Sequence, residues 1–128
     1  MKIVVVDDDK AFLESMKLIL SHRGFSVNTY HHPQKAVSSI KENPDVDILM
    51  VDYMMPSLRG DQLIRLIEDD LPPFCRKIII SGHTDMIEND FLKKDGIAFL
   101  PKPLDLSMLS NVLPENGSWL LGKHAREG

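Results

Sequence analysis

One cysteine, Cys75, stands among 128 residues, which excludes an internal disulfide and fits a reducing compartment. No apolar run approaches the roughly 20 residues that a membrane-spanning helix needs. Basic charge is not in excess either: 15 Lys and Arg stand against 19 Asp and Glu, a formal net charge of −4. Nucleic-acid binders usually carry a basic face, so direct nucleic-acid binding is not expected. No Gly-rich loop follows the first apolar run, which argues against a flavin or dinucleotide phosphate cradle. Met1-Lys2 enters that run at once, so no secretion signal is expected ahead of it and the expected location is the cytoplasm. With 43% apolar and 27% charged residues, the chain has the makings of one domain with a single buried core.

Apolar runs at 3–6, 25–30, 47–51, 77–81 and 97–100 predict strands, and they alternate with segments of helical periodicity. A first helix is expected near 10–22, with Phe12, Met16, Ile19 and Leu20 on one face and a stop at Arg23-Gly24. Pro33 suits the first position of a second helix near 33–42, which carries Ala36, Val37 and Ile40 inward. A third covers about 58–69 with Leu63, Ile64, Leu66 and Ile67, closed by Pro72-Pro73. A fourth is expected near 84–94. A fifth, from Leu104, is stopped at Leu113 by Pro114-Glu115-Asn116-Gly117, after about three turns.

Continuously apolar first, third and fourth strands imply helices on both faces of a parallel sheet, while the alternating second strand suits an edge. Five such units predict a doubly wound, flavodoxin-like α/β fold with strand order 2-1-3-4-5 over residues 1–113. Residues 114–128 read as a tail. Ser118-Trp119-Leu120-Leu121 is apolar enough to fold back on the body, with Trp119 as its anchor. Ala125-Arg126-Glu127-Gly128 reads as unstructured, an expression remnant being one source for it.

The polar groups that matter sit directly behind the strand patterns. Asp7, Asp8 and Asp9 follow Ile3-Val4-Val5-Val6, and Asp52 follows Ile48-Leu49-Met50-Val51. Ser81 follows Lys77-Ile78-Ile79-Ile80, and Lys102 follows Ala98-Phe99-Leu100-Pro101. In an open parallel sheet the carboxyl ends of the strands form the ligand crevice. Magnesium takes hard oxygen ligands, commonly one or two carboxylates plus phosphate oxygens, and Asp7, Asp8 and Asp52 supply such a set if the first and third strands are neighbours. Lys102 would oppose them as a point charge for a phosphoryl oxygen, and Ser81 would offer a hydroxyl. An aspartate at a strand end is a competent nucleophile for phosphoryl transfer.

These residues resemble the receiver domains of two-component response regulators over about 1–113. Val5-Val6-Asp7-Asp8 is similar to the family's acidic pair, and Met50-Val51-Asp52-Tyr53-Met54-Met55-Pro56 to its phosphoacceptor segment, with Gly60 at the glycine that usually follows. Ile80-Ser81-Gly82 resembles the hydroxyl step, and Phe99-Leu100-Pro101-Lys102-Pro103 the aromatic-to-lysine-proline step. All five in order are highly specific. The resemblance implies that Asp52 accepts a phosphoryl group from a histidine kinase or a histidine phosphotransfer protein. It implies Mg2+ held by Asp8 and Asp52 directly, by Asp7 through water and by the Met54 backbone carbonyl. Ser81 and Phe99 would be a switch pair that remodels the face of the fourth helix, fifth strand and fifth helix for a downstream protein target or output domain. Met54 and His83 would tune phosphoryl lifetime, and Lys102-Pro103 would be cis. The domain would then be a signalling module and not an enzyme in the ordinary sense.

Plainer roles stand beside these. Asp9 reads as a helix N-cap, His31-His32 as a solvated loop without further metal ligands, Cys75 as a half-buried thiol, and Phe99 as core without its motif. Two other functions remain open from the residues. One is a degenerate receiver that binds proteins without phosphorylation. The other is a magnesium phosphohydrolase with Asp52 as nucleophile, against which stand Met54 in place of a second acid and the lack of a cap.

Overall fold

The computed structural model of the chain describes residues 1–82, 96–104 and 106–113. Its elements run β1 (Lys2–Val6), α1 (Lys10–His22), β2 (Ser26–Tyr30), α2 (Pro33–Glu42), β3 (Ile48–Asp52), α3 (Gly60–Ile67), β4 (Arg76–Ser81), β5 (Ala98–Pro101) and α4 (Leu106–Val112). The helix expected near 84–94, with His83, and the tail with Trp119 lie outside the described residues. The short last helix matches the sequence expectation of an early stop.

All strand pairs are parallel, in the order β2-β1-β3-β4-β5. The chain leaves β1 toward β2 on one side and returns to β3 on the other, so the switch point of the sheet lies between β1 and β3. β2 is the edge its alternating sequence suggested. No helix among the described residues is long and apolar enough to cross a membrane.

Strand side chains alternate between two cores because successive residues face opposite ways. Val4, Val6, Leu49, Val51 and Ile79 join Ala36, Ile40, Leu63, Ile64 and Ile67 on the α2–α3 side. Ile3, Val5, Met50, Ile78 and Ile80 join Leu13, Met16, Leu20 and Leu109 on the α1–α4 side. Each fully buried Ile or Leu contributes roughly 1.5–3 kcal/mol, so slipping a strand by one residue would forfeit several such terms at once.

Helix ends follow their local chemistry. The Asp9 carboxylate accepts from the Phe12 N–H at 3.2 Å and caps α1, as expected for that residue. At its other end Gly24 takes φ +90, a left-handed turn that favours glycine. α2 starts with Pro33 in its first turn. The Arg76 guanidinium donates from Nη1 to the Val112 carbonyl at 2.8 Å, satisfying a group at the end of α4.

Three sequence assignments need correction. Leu66, grouped in the sequence with Leu63, Ile64 and Ile67, is 51% exposed: α3 turns Leu63, Ile64 and Ile67 to the core, and Leu66 lies about 100° round the helix from their centre. On α1, Leu13 is buried while Phe12 and Ile19 are only half-buried, so the inward stripe is Leu13, Met16 and Leu20. The third helix is also shorter than expected, Gly60–Ile67 against 58–69. Asp47, which the sequence pattern did not single out, is buried; its Oδ2 accepts from the Lys2 N–H at 2.8 Å and ties the starts of β1 and β3 together.

Candidate functional site

Strand pairing brings the polar residues to one edge. Asp7 follows β1, Asp52 is the last residue of β3, and Ser81 is the last of β4. The Lys102 N–H donates to the Ser81 carbonyl at 2.9 Å, so the ends of β4 and β5 stay together past their last pair. The Tyr53 N–H donates to the Ile80 carbonyl and the Gly60 N–H to the Tyr53 carbonyl, both at 2.8 Å, which fixes the loop after Asp52. Gly60 must be glycine for space: a Cβ there would lie 2.6 Å from the Asp52 carbonyl oxygen.

Carboxylate oxygens of Asp7, Asp8 and Asp52 lie within 4.8 Å of one another. Asp7 is fully buried and Asp8 is exposed. Asp7 Oδ1 accepts from the Asp9 N–H at 2.9 Å, and its Oδ2 from Lys102 Nζ at 2.7 Å. The same ammonium stands 3.8 Å from Asp52 Oδ1 and 4.6 Å over the ring of Phe12. Asp9 is not part of the cluster.

Burial governs the protonation of Asp7 and Asp52. It pushes Asp52 from the usual 3.8 up to about 7, helped by the negative charges of Asp7 and Asp8 and opposed by Lys102 and the Met54 N–H. Asp7 is also raised, because burial outweighs what Lys102 and the Asp9 N–H give back. One lysine does not neutralise three crowded carboxylates. A divalent cation would, and an all-oxygen set at this spacing fits a hard ion such as Mg2+, which binds few protein ligands and keeps its waters.

Ser81 is fully buried at the sheet end. Phe99 is half-buried, pairs in register with Ile79 and packs against the α2–α3 core. Met54 is 40% exposed at the crevice loop, and Lys102-Pro103 is cis. The rings of His31 and His32 lie 4.0 Å apart; neither belongs to a metal-binding group among the described residues. Cys75 is half-buried, and burial pushes its thiol up to about 12, so it stays unreactive at neutral pH. Sequence alone missed two contacts here, the Asp7–Lys102 ion pair and the Phe12 ring beneath that lysine. Each joins β1–α1 to the end of β5, and no local pattern announces it.

Three carboxylates opposed by one ammonium, at the switch point of a doubly wound sheet, make a crevice for a hard cation together with an anionic group. The family described as response regulator receiver domain matches residues 3–113. Response regulator MprA of Mycobacterium avium is 36% identical over 115 residues, covering 85% of this chain and 47% of that protein. A putative two-component response regulator of Arabidopsis thaliana is 32% identical over 114 residues, covering 86% of this chain and 18% of that protein. The chain thus spans half or less of the length of these relatives. A receiver domain protein of Clostridium thermocellum superposes with a TM-score of 0.77 at 30% identity, covering 87% of this chain and 89% of that one. For the receiver domain of the hybrid histidine kinase CckA the TM-score is 0.73 at 27% identity, covering 87% and 94%. The chain belongs to the response regulator receiver domains of two-component systems, a family of signalling domains.

Proposed function

We propose that residues 1–113 form a receiver domain whose Asp52 is phosphorylated by a histidine kinase or a histidine phosphotransfer protein, in the cytoplasm. The observation that carries this is the nearly buried Asp52 carboxylate, held 3.8 Å from Lys102 Nζ within a cluster of three acids. An Asp52 oxygen attacks phosphorus in line, the P–N bond to the donor's imidazole breaks, and the leaving nitrogen is left as neutral imidazole by proton uptake. Bound Mg2+, held by Asp8, Asp52 and the Met54 carbonyl and through water by Asp7, would supply charge neutralisation for the transferring oxygens. Lys102 counters a further oxygen with its ammonium, and the Ser81 hydroxyl donates to another.

Ser81 and Phe99 form the proposed switch. A new anion at Asp52 draws the Ser81 hydroxyl, and Phe99 moves into the space released, which remodels the nearby helical face for a protein target or output domain. Phe99 is suited to this because it lies half-buried within the short strand β5, packed against the α2–α3 core without being enclosed by it. Met54, exposed beside Asp52, and His83 are the positions proposed to tune phosphoryl lifetime, and residues 114–128 are proposed to be a tail outside the domain.

Incubation with magnesium and acetyl phosphate, followed by intact mass, tests the reading. One metal-dependent phosphoryl adduct that Asp52→Asn abolishes is the expected result. An adduct that survives in the variant would mean a different acceptor. No adduct, with that donor or with a phosphorylated kinase, would favour a receiver that works by binding alone.

A further inference from the structure

Among the described residues the Lys102 ammonium has two acids and one aromatic ring beside it. Asp7 Oδ2 lies at 2.7 Å and Asp52 Oδ1 at 3.8 Å, while the face of the Phe12 ring lies with its centroid 4.6 Å from Nζ. Both acids have other work in the proposed reaction. Asp7 faces the cation, and Asp52 takes the phosphoryl group, so neither is a fixed anchor for the lysine. An aromatic face attracts an ammonium through its quadrupole without neutralising it and without binding a metal or a phosphate.

Phe12 is anchored through its backbone in α1. It lies in the first turn of α1, next to the cap at Asp9, and packs against the core that includes Leu13, Met16 and Leu109. It also borders an apolar groove between α1 and the β5–α4 connection, of about 560 Å³, shared with Met16, Ile19, Leu104 and Lys102 itself. A lysine stem crossing such a groove could turn out to water. Unlike the two acids, the ring opposes this without taking part in the reaction.

We propose that Phe12 is a positioning residue for Lys102, keeping the ammonium turned toward Asp52 while Asp7 and Asp52 change partners. Its kinetic consequence rests on the reading of Asp52 as phosphoacceptor; the contact itself does not.

The test compares Phe12→Leu, which keeps apolar bulk without a π face, with Phe12→Tyr, which keeps the face. Three measurements are made on the full chain: the rate of phosphorylation by acetyl phosphate at saturating magnesium, urea unfolding, and the NMR shift of the Lys102 ε-methylene protons. In the wild type those protons should be moved upfield by the ring current. Phe12→Leu should lose that shift and phosphorylate about two- to tenfold more slowly, whereas Phe12→Tyr should keep the shift and stay within about twofold of wild type.

Equal slowing in both variants would assign Phe12 to packing and overturn the proposal, as would an unchanged rate in Phe12→Leu. If the wild type forms no adduct with acetyl phosphate or with a phosphorylated kinase, the phosphoacceptor reading fails, and the NMR comparison then decides on the contact alone. An upfield shift present in wild type and kept in Phe12→Tyr sustains the contact between the ring and the Lys102 side chain. No upfield shift in wild type ends it.

Discussion

Replacing Asp52 by asparagine should stabilise the metal-free protein, by an amount that grows with pH. The carboxylate titrates near 3.8 in an unfolded chain and near 7 in the fold. Between those values the folded state holds a proton that the unfolded state has released, so raising the pH favours unfolding. Below about pH 4 both states are protonated and the penalty vanishes; above pH 7 it levels off. At about 1.4 kcal/mol per pH step, the ceiling is about 4 kcal/mol at pH 8, of which about 2.5 kcal/mol develops above pH 5. Water at the mouth of the crevice and readjustment of Lys102 reduce the expected difference between pH 5 and pH 8 to about 1–2 kcal/mol. Asparagine keeps the shape and an acceptor for the Met54 N–H but carries no charge.

Urea unfolding followed by far-UV circular dichroism, at both pH values and with chelator present, gives the comparison as a difference between variant and wild type. Groups that titrate independently of Asp52 cancel in it. Adding magnesium should then stabilise the wild type, by about 2.7 kcal/mol at a concentration a hundred times its dissociation constant, and the variant much less. A variant no more stable than wild type at pH 8, or a gain that does not change with pH, would refute the electrostatic account of the crevice.

Other substitutions separate space, charge and burial. Gly60→Ala should cost about 1–3 kcal/mol, because its Cβ meets the Asp52 carbonyl at 2.6 Å and the backbone must shift; it should also slow phosphorylation, read by intact mass. Gly24→Ala meets nothing within 4 Å but sits at φ +90, so about 1 kcal/mol of stability should go with no change at the site. Lys102→Met should destabilise by about 1–3 kcal/mol at pH 8 by leaving Asp7 buried without its cation, and by less as the pH falls and Asp7 takes up a proton; urea titrations at several pH values show the trend. Ile64→Ala should cost about 2–5 kcal/mol, whereas Leu66→Gln should stay within about 0.5 kcal/mol, a contrast that thermal unfolding resolves.

Much of this was legible in the sequence. A parallel sheet covered on both faces needs unbroken apolar strands, so Ile3–Val6, Ile48–Val51 and Ile78–Ile80 announced themselves, and the polar residue behind each was thereby placed at the crevice. Local capping chemistry was equally readable at Asp9 and Pro33. What stayed hidden was relational. Which of Phe12 and Leu13 faces the sheet depends on how α1 is rolled, and a shift of one residue turns a helix face by about 100°. Asp47 passed as the first residue of the run 47–51, with nothing to mark it, because its partner, the Lys2 N–H, lies 45 residues earlier. Lys102 could be placed opposite the acids by its register, but not shown to be shared between Asp7 and Phe12.

Asp7, Asp52, Ser81 and Lys102 come from the ends of four different strands, and the Asp7–Lys102 bond joins residues 95 apart in sequence. No fragment of the chain carries a working portion of this crevice. Competence to receive a signal is therefore a property of the finished sheet: a nascent or damaged chain that has not docked β5 lacks the ammonium, and one that has not inserted β1 lacks two of the acids. A cation at the crevice would join the ends of β1 and β3, and a phosphoryl group on Asp52 would add β4 through Ser81 and β5 through Lys102, so loading the site would tighten the whole domain and not a loop of it.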